Sequence, residues 1–215
     1  MKRIVLSISI SLIFFILLAP PGHSQSSFDG CKAEGLGKKT KTHPTGKLSQ
    51  RFIDLNLDKN RDDAPKRSEL DGSITLEKIL DPRNDAKFEN SQGATITGFV
   101  PYVVPGEAQE SCNCSRKDIR DIHIYVVSDE KYKDDKRHWM IVEISPRWQK
   151  KLGKDLKTVR AEIQGEWVTF TGWMFYDAQH TGNAVNTNPR GKALWRATAW
   201  EIHPVTSYKV VNRDQ

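Results

Sequence analysis

The stretch Ser145–Gly165, SPRWQKKLGKDLKTVRAEIQG, decides how the rest of the chain is read. Ser145 supplies a capping hydroxyl, and Pro146 suits the first helical position, where a missing N–H costs nothing. Trp148, Leu152, Leu156, Val159 and Ile163 then recur at spacings of four, four, three and four. They form one apolar stripe that ends before Gly165, a residue suited to a helix C-terminus. The spacing predicts a helix, with Gly153 as the place where it breaks into two turns and a longer piece.

Strand patterns flank this helix on both sides. Ala94–Val104, ATITGFVPYVV, reads as a curved first strand with a bend at Gly98. Asp121–Val127 alternates: Ile122, Ile124 and Val126 face one way, Asp121, His123 and Tyr125 the other. In HWMIVEIS, residues 138–145, Met140, Val142 and Ile144 face the core, with Trp139, Ile141 and Glu143 outward. Val168–Tyr176 and Leu194–Val205 are rich in aromatic and β-branched residues and supply the fourth and fifth strands. Between them runs a polar loop, Asp177–Ala193, of a length that usually signals function or mobility.

Three strands, a helix and two strands is the order of a five-stranded OB-type Greek-key barrel. An SH3-like barrel lacks so long a helix at that point, and a ferredoxin-like fold needs one directly after the first strand, where this chain has a Pro/Gly/Cys loop. The DAQH (177–180) and WEIHPV (200–205) motifs resemble a group of uncharacterised bacterial secreted OB-fold-like proteins. The resemblance covers Ala94–Val211 and implies a fold and an exported address, with no mechanism attached.

Lys2 and Arg3, an apolar run from Ile4 to Ala19, and then Pro20, Pro21 and Gly22 make the pattern of a secretory signal peptide, residues 1–24. A secreted or periplasmic protein is expected, and no later segment is apolar enough to span a membrane. Removing the leader takes two positive charges from a net +6, leaving +4. That mild excess permits nucleic-acid binding without arguing for it, because no basic stripe is concentrated anywhere.

Residues 25–93 read as an N-terminal tail and helical extension packed outside a barrel domain at 94–211. In it, Gln25–Gly46 is a polar tail, Leu48–Asn60 a helix, and Ile74–Leu80 a short helix capped by Ser73. The three cysteines are Cys31, Cys112 and Cys114. A Cys112–Cys114 ring is too tight, so Cys31 is expected to bond Cys114, or else Cys112, pinning the tail to the loop after the first strand. A loop of about 80 residues closed this way corresponds to roughly 4 kcal/mol in the chain-entropy model.

Three acid–histidine pairs stand out: Asp121 with His123, Glu201 with His203, and Asp177 with His180. Residues two apart on a strand share a face, so the first two pairs lie outside the barrel, with Glu143 on the neighbouring strand. Such a set suits catalysis (His123, His203, Glu143, Glu201, Asp121) or a divalent metal, Zn or Mn, held by His123 and His203. A structural hydrogen-bond network is the commoner use of an acid and a histidine on one strand face. Trp139 and Trp173 in outward registers, with Asp177, His180, Arg190 and Arg196, form the candidate ligand surface. Two functions follow: an exported OB binding module for single-stranded nucleic acid, oligosaccharide or protein, or a metal-dependent hydrolase such as a secreted phosphodiesterase or nuclease. Glycine-rich phosphate loops, nucleophile elbows and CxxC pairs are absent from the sequence.

Overall fold

Period-two alternation produces five strands: β1 Gly93–Pro105, β2 Ile122–Val127, β3 Met140–Ile144, β4 Trp167–Tyr176 and β5 Trp200–Val211. In the computed structural model, which describes residues 27–212, they close into a barrel in the order β1-β2-β3-β5-β4. β1 pairs antiparallel with both β2 and β4, and β3 meets β5 in parallel at Ile141↔Glu201 and Val142↔Ile202. This is the OB-type Greek-key arrangement. Inside, Ile96, Ile124, Met140, Val142, Phe170 and Ile202 are all but sealed from water, and their packing supplies the apolar drive for the fold.

The stretch between β3 and β4 folds as two helices, α3 Pro146–Leu152 and α4 Leu156–Ile163. Gly153 stands between them at φ +65°, closing α3 in a left-handed conformation that costs glycine nothing. Asp155 then accepts from the Thr158 N–H (2.8 Å) and starts α4. Trp148, Val159 and Ile163 still share one buried face against the barrel.

The fifth strand corrects its expected bounds. It starts at Trp200 rather than Leu194 and runs past Val205, because β4 has pairing partners for it as far as Trp167↔Val211. Trp195 and Ala197 instead bond away from β4, their N–H groups donating to Asn183 O (3.1 Å) and Trp139 O (2.7 Å). The loop after β4 is therefore longer than its composition suggested.

Two helices precede the barrel, α1 Gln50–Lys59 and α2 Leu76–Leu80. α2 is capped by Thr75, which accepts from Lys78 N–H (3.3 Å), and not by Ser73. Its Leu76 packs on Gly98, where a Cβ would come within 2.7 Å of Leu76 Cδ2 and 2.4 Å of Val126 Cγ1, so only glycine lets helix and strand approach this closely. The tail is more ordered than its composition implied. Cys31 is bonded to Cys114 across 83 residues, Ala33 is buried, and Leu36 N–H donates to Ser111 O (2.9 Å). Asn60 Nδ2 donates to both Ala33 O and Cys112 O (2.9 Å each), fastening α1 to tail and loop together.

Among the described residues no helix is long and apolar enough to cross a membrane. The expected leader, residues 1–24, lies outside the described residues.

Candidate functional site

α1 lies over the outer face of β2 and β3, and a cleft of about 730 Å³ opens between them. The loop after β1 forms one side, through Gly106, Glu110 and Cys112. The loop after β4 forms the other, through Asp177, His180, Trp195 and Arg196. Leu48, Phe52 and Leu55 of α1 line an apolar wall, while His123, Tyr125, Ile141 and Glu143 make the floor.

The floor begins with strand register. His123 and Glu143 are direct cross-strand partners, and His123 Nε2 lies 3.2 Å from Glu143 Oε1 and 3.7 Å from Glu110 Oε1. Gly106 makes room for that imidazole, since a Cβ there would sit 2.7 Å from His123 Nε2. From β5, His203 Nδ1 comes within 3.0 Å of Glu143 Oε2 and 3.6 Å of Glu201 Oε2. Glu143 therefore stands between two histidines.

The sequence pairs are partly redistributed. Asp121 does not orient His123; it sits just before β2, fully buried, accepting from Asn113 Nδ2 (2.9 Å) beside Cys112 Sγ (3.9 Å). Cross-strand neighbours outcompete same-strand ones here because they stand directly opposite. Asp177 and His180 do bond each other. Arg196, with no exposed surface, spends its guanidinium inside the protein: on Asp177 Oδ2 (3.0 Å), Glu201 Oε1 (2.7 Å) and Thr198 O (2.7 Å). Its rigid fork suits this three-way role. It is a buried strut rather than a surface anion contact, and Arg190 is exposed outside the cleft.

The two expected aromatic platforms also diverge. Trp139 does line the cleft, packed against Tyr102 and Tyr125, with its Nε1 donating to Lys133 O (3.0 Å). Trp173 does not. The N-terminal segment covers it, with the Arg61 guanidinium 4.6 Å from its ring and Asp63 O accepting from its Nε1 (2.9 Å). Lys59, Glu110 and Trp195 were not foreseen as site residues. Lys59 ends an ordinary-looking amphipathic helix and Glu110 lies in a loop, and neither carries a local spacing signal.

Burial sets the electrostatics. Desolvation works against the charged imidazole of His203, yet the charge of Glu143 outweighs it and pushes the pKa up to about 9. His123 is likewise driven upward against burial by Glu143 and Glu110. Burial alone would raise Glu143, but the His123 and His203 charges hold it well below the carboxylate range. Asp121 goes the other way: burial, reinforced by the charge of Glu110, raises it to about 7. Lys59 is held well above its ordinary value despite burial, because Glu143 leads the acids around it.

Several buried atoms here have no hydrogen-bond partner among the described residues: Glu110 Oε1, Asp121 Oδ1, His123 Nε2, Glu143 Oε2, Glu201 Oε2 and both ring nitrogens of His203. Such atoms carry a desolvation cost of about 1–3 kcal/mol each, and they cluster at the cleft floor. Cys112, the remaining free thiol, is buried beside them, its pKa raised first by desolvation and then by Asp121. Comparison with known proteins returns no matching family model, no matching curated protein and no matching solved structure.

Proposed function

We propose that the protein is an exported OB-type binding module that takes an oligosaccharide along the outer face of β2 and β3. The observation that carries this reading is position: the cleft lies on that face, between the loop after β1 and the loop after β4, where OB barrels hold extended polymers. Its lining selects among polymers. Glu107, Glu110, Glu143, Asp177 and Glu201 face Lys59, Arg120, Lys136, Arg196 and the charged imidazole of His123, a near balance rather than the marked positive excess that a nucleic-acid strand needs. Carboxylates that accept from hydroxyls, beside Trp139, Trp195, Tyr125 and Phe52 as apolar stacking surfaces, suit a polyhydroxyl chain. Export is supported by the leader pattern, by the Cys31–Cys114 bond, which fits an oxidising compartment, and by the resemblance of the DAQH and WEIHPV motifs.

Calorimetric titration with an oligosaccharide panel at about 50 and about 200 mM salt tests the reading, because phosphate binding falls steeply across that range. The expected result is glycan binding nearly independent of salt, weakened about tenfold by Trp195→Ala, equivalent to ~1.4 kcal/mol. Salt-steep binding of a single-stranded oligonucleotide, with no glycan bound, would overturn it.

A second reading, metal-dependent hydrolysis in the same cleft, is favoured by the partnerless donor atoms on the floor. Glu201 is the candidate general base there, and His123, held in its charged form by Glu143 and Glu110, the candidate general acid. Turnover of a simple phosphodiester such as bis(p-nitrophenyl) phosphate, abolished by chelator, is its expected signature.

A further inference from the structure

Beneath the floor, one donor atom from each of Asp121, Glu143 and His203 lies within 4.8 Å of the other two. All three residues are buried, exposed by only 1%, 3% and 1%. They come from three different segments: the end of the loop after β1, the middle of β3, and β5. Acids beside a histidine are common in proteins, but these carry a second mark. Asp121 Oδ1, Glu143 Oε2 and both His203 ring nitrogens have no aligned hydrogen-bond partner. His203 Nδ1 and Glu143 Oε2 approach to 3.0 Å without the alignment of a hydrogen bond.

We propose that Asp121, Glu143 and His203 are the protein ligands of a divalent transition-metal ion, zinc or manganese, directly under the cleft. Two carboxylates and an imidazole are donors that either ion accepts. In a tetrahedral site with bonds of about 2.0–2.2 Å, donors lie roughly 3.3–3.6 Å apart, so from separations within 4.8 Å the trio needs to close by at most about 1.5 Å. The ion satisfies at once the atoms that hydrogen bonds leave over.

Lys59 does not fill this place. Lys59 Nζ makes an ion pair with Glu110 Oε2 at 3.6 Å, and among the described residues it reaches ion-pair distance of none of the trio. Glu143 belongs both to the trio and to the cleft lining, and through it the ion communicates with whatever occupies the cleft. Glu110, Cys112 and Asp121 form an overlapping group within the same 4.8 Å limit. That places a thiol and a further carboxylate beside the shared ligand Asp121.

The inference names the ion's ligands for the hydrolase reading but is tested with metal alone, so the two fail separately. The full chain, cleared of metal with chelator, is titrated calorimetrically with Zn²⁺ and separately with Mn²⁺. One ion per chain is expected. Asp121→Asn and Glu143→Gln preserve shape while removing a charged ligand, and each should weaken binding by about tenfold or more, the scale seen even for groups that only support a ligand. His203→Gln should do the same. Circular dichroism and a cooperative melt on each variant separate lost metal from lost fold, and added Zn²⁺ should raise the melting temperature of the unaltered chain by more than that of Asp121→Asn. Failure of both ions to bind stoichiometrically, or unchanged affinity in folded Asp121→Asn and Glu143→Gln, overturns the site. A stoichiometric ion without phosphodiester turnover upholds the site and ends the hydrolase reading.

Discussion

The two faces of β2, β3 and β5 are both buried, yet they are held by opposite means. Inward, Ile122, Ile124, Val126, Met140, Val142 and Ile202 meet other hydrocarbon; outward, His123, Glu143, Glu201 and His203 meet one another under α1. The inner face is stable because every atom there finds contact without needing a directional partner. On the outer face several atoms lack the partner they need. A domain that only had to fold would have no use for the second arrangement, since well-packed apolar side chains can replace buried charge without loss of stability. The contrast marks the outer layer as the part shaped by function.

Truncation of each face breaks the comparison most directly. Phe170→Ala hollows the inner layer at a side chain with no exposed surface and should cost about 3–5 kcal/mol in denaturant titration. The cleft should survive in the fraction that remains folded. Arg196→Met takes from Asp177 and Glu201 the guanidinium they share and should cost a comparable amount, about 3–5 kcal/mol, while also abolishing ligand binding. Loss of stability with full ligand affinity in Arg196→Met would show that the outer layer is merely structural.

Severing the tie between tail and barrel gives a smaller change. Cys31→Ser opens a loop closed across 83 residues, which the chain-entropy model values at roughly 4.5 kcal/mol and experiment more often at about 2–4 kcal/mol. The barrel should remain cooperative, and the cleft, which borrows its apolar wall from α1, should bind more weakly. Unchanged stability in the serine variant would mean that the hydrogen bonds of Asn56 and Asn60 suffice to hold the cover.

The smallest effect concerns the rim. His180 is raised above its usual pKa chiefly by its bond to Asp177, and Asp177 is depressed, the same bond and the nearby cations outweighing its burial. The histidine's contribution is complete below its unfolded value of about 6.5 and lost as pH rises through the higher folded value; the aspartate's is present above about 3.9 and lost as pH falls. His180→Gln should therefore lower stability by about 0.5 kcal/mol near pH 6, a small figure because the imidazole is half exposed. The difference should vanish in alkali, and an equal difference at both pH values would refute the assignment.

How much of this was legible beforehand follows the same division. The inner face shows in the sequence because alternation is local: Ile122, Ile124 and Val126 announce their side from their own spacing. Eliminating the tight ring narrowed the partner of Cys31 to Cys114 or Cys112, and the fold, not the spacing, chose Cys114. His123, Glu143, Glu201 and His203 were also recognisable as one outward set, since cross-strand order follows from the fold. Their burial was not, because it depends on α1 returning over the sheet, and nothing in Leu48–Asn60 states where that helix docks. The same cover hid Trp173 and drew Lys59 into the site. Arg196 was misread as a surface residue because Leu194–Ala199 has strand-like composition yet bonds to Asn183 and Trp139.

Synthesis order gives the cover a further consequence. α1 has ten residues and buries only Asn56, and an isolated helix of that length is marginal in water. It packs against β5, the last strand to be made. Until residue 211 has emerged, the N-terminal segment has nothing complete to rest on and Cys31 has no fixed neighbour. The segment around α1 thus lacks its support for as long as the chain is unfinished, and the cleft comes into being only once α1 and β5 have met.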